Sequence, residues 1–147
     1  MKSVKKISIL IPAYNEQEVL HHLYERLNKL AGETSGYSFE FLFVNDGSRD
    51  RTLKIIKTYA KKDNRVAYVN LSRNFGKETA MIAGLDHVTG DATVIIDADL
   101  QDPPELIPKM IAFWEEGYDD VYARRESRAG ESWLKKKTSE VFYKLLK

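Results

Sequence analysis

The sequence predicts an α/β domain built around a mostly parallel sheet, and three observations carry that expectation. Short apolar runs rich in β-branched and aromatic residues recur at 7–11, 39–45, 66–71, 92–97 and 120–123. Helical patterns separate them, which is the alternation that βαβ units produce. Each of the first four runs also ends in polar and turn-forming residues, at the strand ends where an open parallel sheet collects its ligand-binding loops.

Taken in order, the first strand follows Met1-Lys2-Ser3-Val4-Lys5-Lys6 directly, with no secretory apolar region between. The first helix, about 16–30, places Val19, Leu20, Leu23, Leu27 and Leu30 on one stripe. After the second strand, Ser48 or Asp50 opens a helix carrying Leu53, Ile56 and Ala60. Both helices are suited to cover a sheet. A third helix is expected at 76–88, and a fourth from Pro103-Pro104 to about 116, with Asp102 as a helix-start acid. A fifth, from about Ser132, carries Leu134, Val141, Phe142, Leu145 and Leu146 and reaches Lys147 still amphipathic, without a glycine or proline stop. The expectation is one domain, 1–147, forming the N-terminal part of a longer protein and either self-associating through that last helix or folding it back over the sheet.

Bulk composition narrows the function classes. A chain of 147 residues, 43% apolar and 31% charged, is an ordinary single domain with length enough for a real core. Lys and Arg (23) nearly balance Asp and Glu (22), so a net charge of +1 offers no global field for nucleic acid. The absence of cysteine excludes a disulfide framework and a thiolate metal site, and is compatible with a cytoplasmic location. No apolar run approaches the ~18 residues that span a bilayer. His21, His22 and His87 have no zinc-site spacing and read as surface or packing residues, and Trp114 and Trp133 read as core or interface.

The chemistry concentrates after the fourth strand, in Val94-Ile95-Ile96-Asp97-Ala98-Asp99-Leu100-Gln101-Asp102-Pro103-Pro104. Burial of Val94, Ile95 and Ile96 would fix the backbone, so that Asp97 at the strand end and Asp99 in the turn aim at one point. Two carboxylates held that close repel, and a divalent ion relieves the repulsion. Mg2+ or Mn2+ keeps positions open for water and substrate phosphates, so a site with few protein ligands suits a diphosphate. The plainer alternative is a solvated turn with capping acids.

Other loops share that edge: Pro12-Ala13-Tyr14-Asn15-Glu16, Asn45-Asp46-Gly47-Ser48 and Ser72-Arg73-Asn74-Phe75-Gly76-Lys77. No G-x-G-x-x-G follows the first strand, and Leu71 stands where a P-loop needs its first glycine. A diphosphate would therefore be met by the cation and by Lys77 or the arginines near Arg124. Tyr14 could pack on a base or ribose, and Asp46 could accept from a base N–H. Alternatively Tyr14 buttresses its turn, and Glu16 and Asp46 cap helices.

These four segments, in this order and spacing, together with Arg124-Arg125-Glu126-Ser127-Arg128-Ala129-Gly130-Glu131-Ser132, resemble inverting GT-A glycosyltransferases of the family 2 type. Within them the chain is most similar to polyprenyl-phosphate hexosyltransferases, the relatives of dolichyl-phosphate mannose synthase and bactoprenol glucosyltransferase. The resemblance runs from Ile7 to about Ser139 and implies a three-layer α/β/α GT-A fold, C-terminally incomplete. It implies that Pro12, Ala13, Tyr14, Glu16 and Asp46 hold the nucleoside of a UDP- or GDP-hexose. Asp97, Ala98 and Asp99 would lie against ribose, diphosphate and metal, with Gln101 joining the metal shell. Arg124, Arg125 and Arg128 would meet the donor diphosphate or a polyprenyl phosphate acceptor at the cytoplasmic membrane face. Acceptor-side residues of the family have no match before Lys147.

Rival readings keep the same cleft but change the chemistry. A saccharide acceptor would require a carboxylate base, which a phosphate acceptor does not. An aspartate-nucleophile phosphohydrolase also uses paired aspartates with Mg2+, but places them after its first strand. A non-catalytic nucleotide-sugar-binding or assembly module is the third.

Overall fold

The computed structural model describes residues 4–123. Four strands, β1 (Lys5–Ala13), β2 (Tyr37–Asn45), β3 (Val66–Asn70) and β4 (Ala92–Ile95), form one parallel sheet in the order β3-β2-β1-β4. Ile9 is in register with Phe41 on one side and Val94 on the other, which makes β1 a central strand. Its residues from Ile7 to Ala13 are all buried, the near-continuous apolar run of a strand covered on both faces.

Helices α1 (Leu20–Glu33), α2 (Thr52–Lys62) and α3 (Lys77–Leu85) alternate with the strands, and a 3-10 turn at Pro104–Leu106 leads into α4 (Ile107–Glu115). On α1 the predicted stripe is buried at Leu20, Leu23, Leu27 and Leu30. Rings of Tyr24 and Tyr59 stack 4.1 Å apart, which sets α1 beside α2. Right-handed crossovers put these two helices on one face of the sheet, and α3, whose connection runs back to β4, on the other. There Ala80 of α3 packs with Leu10, Leu42 and Val44. At Gly84 a Cβ would stand 2.2 Å from Leu10 Cδ1 and 2.8 Å from Val44 Cγ2, so glycine is what allows α3 to lie this close to the sheet.

The strand order makes a switch point: the chain moves from β1 to β2 in one direction, and β4 lies on the opposite side of β1. The loops after β1 and β4 therefore part at their carboxyl ends and leave a crevice.

Four expectations change. β4 stops at Ile95, before Asp97, and Ile95 is 43% exposed where burial was expected. The reason is that β4 pairs only with β1 among the described residues, and one face of this edge strand stays open. Residues 120–123 make no ladder and are not a strand, because a strand exists only through a partner and none of the described residues supplies one. Val19 precedes α1 instead of lying on its stripe. Asp102 does not occupy the cap position: the turn begins at Pro104 with Pro103 before it, and Pro103 makes no side-chain cap bond.

By contact the chain divides into two units, Met1–Ile111 and the residues from Ala112 onward. In the second, the rings of Phe113 and Tyr118 meet edge to face. His21, His22 and His87 are exposed, as expected, and Trp114 is half-buried. Trp133, the basic segment with Arg124, Arg125 and Arg128, and the last predicted helix lie outside the described residues.

Candidate donor-binding cleft

Each strand-end loop is tied to the next, so the carboxyl edge of the sheet is one knitted surface. The loops after β1 and β2 exchange bonds throughout. Asn15 N–H donates to Ser48 Oγ (3.0 Å), Arg49 N–H to Asn15 Oδ1 (2.8 Å), Glu16 N–H to Thr52 Oγ1 (2.8 Å) and Asp46 N–H to Ala13 O (2.9 Å). Asn15 reaches this geometry at φ 55, a left-handed conformation that asparagine tolerates.

Asp46 ties the β2 loop to the β3 loop. Its two carboxylate oxygens accept from Phe75 N–H (2.7 Å) and Gly76 N–H (3.0 Å), and it is 3% exposed. At Gly47, φ +64, a Cβ would fall 2.2 Å from the Arg73 carbonyl carbon, so the two loops touch backbone to backbone. The β3 loop meets the β4 loop through Lys77, whose Nζ donates to Asp97 Oδ2 at 2.6 Å. Asp99 Oδ1 accepts from Gln101 N–H (2.9 Å), and Leu100 next to it sits at φ 62. A non-glycine residue held there is strained, and such strain concentrates at functional turns. From behind, Arg26 of α1 donates through Nε and Nη2 to the two carboxylate oxygens of Glu105, anchoring the 3-10 turn.

The knitted loops enclose a cleft of about 390 Å³. Pro12, Ala13, Tyr14 and Glu16 line it from β1, Asp46 from β2, Asn74, Lys77 and Ala80 from β3 and α3, and Asp97, Ala98 and Asp99 from β4. All nine expected nucleotide-sugar residues are thus brought to one place. Gln101 is not among the lining residues. Asn74 and Ala80 line the cleft without having been singled out. Asn74 belongs to a polar loop that the sequence places on this edge, whereas Ala80 reads as a buried helix position and carries no polar signal.

The electrostatics favour a cation. Burial pushes the Glu16 carboxyl above its ordinary range, and the negative charges of Asp99, Asp50 and Asp97 push it further. Carboxylates therefore face one another here with Lys77 as a counter-charge on Asp97. Among the described residues no three His, Cys, Asp or Glu side chains converge as a metal cage. Asp97 and Asp99 fit a hard ion that draws its remaining ligands from water and a phosphate-bearing substrate.

The family model described as "Glycosyl transferase family 2" matches residues 8–147. The chain is 50% identical to an uncharacterized glycosyltransferase, YkcC, of Bacillus subtilis, over 95% of this chain and 43% of that protein. It is 47% identical to a bactoprenol glucosyl transferase of Shigella phage SfX, over 95% of this chain and 45% of that one. Among solved structures, S. aureus TarS in complex with UDP-GlcNAc is similar with a TM-score of 0.61 and 27% identity, over 84% of this chain and 37% of that one. The chain spans less than half the length of these relatives.

Proposed function

The chain belongs to glycosyl transferase family 2, with the α/β GT-A-like fold, and we propose that it serves transfer of a hexose from a nucleoside diphosphate sugar to polyprenyl phosphate. The observation that carries this reading is the convergence of Asp97, Asp99, Asp46, Lys77 and Tyr14, from four separate strand ends, on one cleft. Its volume lies in the range of small-ligand sites. Similarity to a bactoprenol glucosyl transferase supports the lipid phosphate acceptor and favours glucose as the sugar.

In this mechanism Tyr14 packs along the base or ribose, Pro12 and Ala13 bring the backbone close, and Glu16 and Asp46 shape the nucleoside end. Ala98, 2% exposed and almost without side chain, leaves room for the donor between the two aspartates. Asp97 and Asp99 would hold Mg2+ or Mn2+, with Gln101 nearby in the chain. The chemistry such an ion would supply there is neutralisation of charge on the departing diphosphate. Displacement is single and inverts the anomeric carbon. A phosphate acceptor is anionic near neutral pH, so it needs placement in line with that carbon more than it needs a general base. Arg124, Arg125 and Arg128 suit that placement, since forked guanidinium donors match phosphate oxygens. The reaction then belongs at the cytoplasmic membrane face, where the lipid phosphate lies; among the described residues no helix is long and apolar enough to cross a membrane.

The experiment supplies UDP-glucose, UDP-GlcNAc and GDP-mannose in turn, with Mg2+ or Mn2+, and polyprenyl phosphate or a saccharide as acceptor. Formation of an inverted polyprenyl phosphohexose supports the reading. Transfer to the saccharide alone would replace the acceptor, and donor binding without transfer to either would reduce the chain to a binding module.

A further inference from the structure

Lys77 occupies a position that local electrostatics disfavour. It is the first residue of α3, where the helix dipole presents partial positive charge and cations are unfavourable. Its ammonium group is offset there by Asp97, with Nζ 2.6 Å from Oδ2. The lysine side chain is 51% exposed and the aspartate 30%, so the contact is wet and can be broken at small cost. The other aspartates of the cleft are engaged by backbone amides: Asp46 by Phe75 and Gly76, Asp99 by Gln101.

We propose that Lys77 is a resident cation that holds Asp97 while the cleft lacks donor, and moves from that carboxylate to the diphosphate when a divalent ion arrives with the nucleotide. This deepens the donor-site reading and rests on it. A divalent ion seated on Asp97 and Asp99 would compete with the ammonium for the same carboxylate, and the two cations would repel. Metal alone therefore has to displace the lysine and leave it unpaired at a helix N-terminus. When a diphosphate comes with the metal, the flexible four-carbon stem carries the ammonium to a phosphate oxygen instead. Metal and nucleotide then assist each other's binding, by the same factor in both directions. The cleft takes the metal–nucleotide pair in preference to bare metal.

The test measures Mn2+ binding by electron paramagnetic resonance of the free ion, with and without UDP, on wild type, Lys77→Met and Lys77→Arg. Without UDP, Lys77→Met should bind Mn2+ about two- to fivefold more tightly than wild type, the scale of an exposed ion pair. With UDP, the mutual enhancement should fall by at least about tenfold, the scale of a lost charge-assisted contact to phosphate. Lys77→Arg keeps the charge and should stay close to wild type. An unchanged or weaker Mn2+ affinity of Lys77→Met without UDP, or an intact enhancement with it, overturns the proposal. A melting curve matching wild type is expected for so exposed a side chain, and Lys77→Gln repeats the comparison should Lys77→Met not fold. Wild type that fails to bind Mn2+ even with UDP overturns the donor-site reading itself. Wild-type binding with indifferent variants overturns this inference alone.

Discussion

Asp97 and Asp99 are separated by one alanine, yet the fold gives them different partners, a lysine for the first and the turn's own backbone for the second. Asp102, three residues on, lines no part of the cleft. This predicts that Asp99→Asn weakens Mn2+-dependent UDP binding by at least about tenfold, the scale of a charge-assisted contact, while Asp102→Asn changes it little. Titration of both variants in Mn2+ measures the difference, and equal affinities would remove Asp99 from the metal site. Asp46 shows where residue-level reading of a sequence stops. An acidic residue after a strand reads as a ligand contact or a helix cap, and the fold adds a further role, since two backbone amides from a loop 29 and 30 residues away donate to its oxygens while it lines the cleft. Such long-range loop closure leaves no local pattern. The need for glycine at 47, with the backbone of Arg73 against it, leaves no local pattern either.

Periodicity made α1, α2 and the first two strands legible, because each buries one regular face or run. It failed where tertiary partners decide. β4 is shorter than its apolar run because pairing with β1 ends at Ile95, and 120–123 has strand-like residues without a ladder. Three elements also meet at a polar joint invisible to periodicity. Asp63, after α2, accepts from Arg65 N (2.9 Å), Nε (2.9 Å) and Nη2 (2.7 Å) and from Tyr24 OH of α1 (2.7 Å). Chiefly through the Arg65 hydrogen bonds, its carboxyl is lowered from 3.8 to about 2. A carboxylate whose pKa is lower when folded stabilises the fold above its ordinary value, and that stability is lost as pH falls from 3.8 through about 2. Its side chain is 11% exposed, so solvent screens the effect only partly. Asp63→Asn should therefore cost about 1–3 kcal/mol in urea unfolding at neutral pH, and the gap from wild type should close as pH drops through that window. A pH-independent gap would show that the loss comes from packing instead of charge.

Across the whole molecule, strand order turns scattered loops into a site. Four segments far apart in sequence became one cleft because parallel strands all end on the same edge and β1 lies at the switch point. The shared edge was legible beforehand, since βαβ alternation makes the strands parallel and puts their carboxyl ends together, whereas the strand order was not. The bonds that hold the loops in register were not, and neither was the Lys77–Asp97 contact, which depends on where α3 begins relative to β4. The central claim is that this edge binds a nucleoside diphosphate sugar through a divalent ion on Asp97 and Asp99. Calorimetric titration of the chain with UDP-glucose, with and without Mn2+, tests it most directly. Saturable binding at one site that requires Mn2+ and is lost when Asp97 and Asp99 are both changed to Asn is the predicted result. Binding indifferent to Mn2+, or undiminished in that double variant, would contradict it.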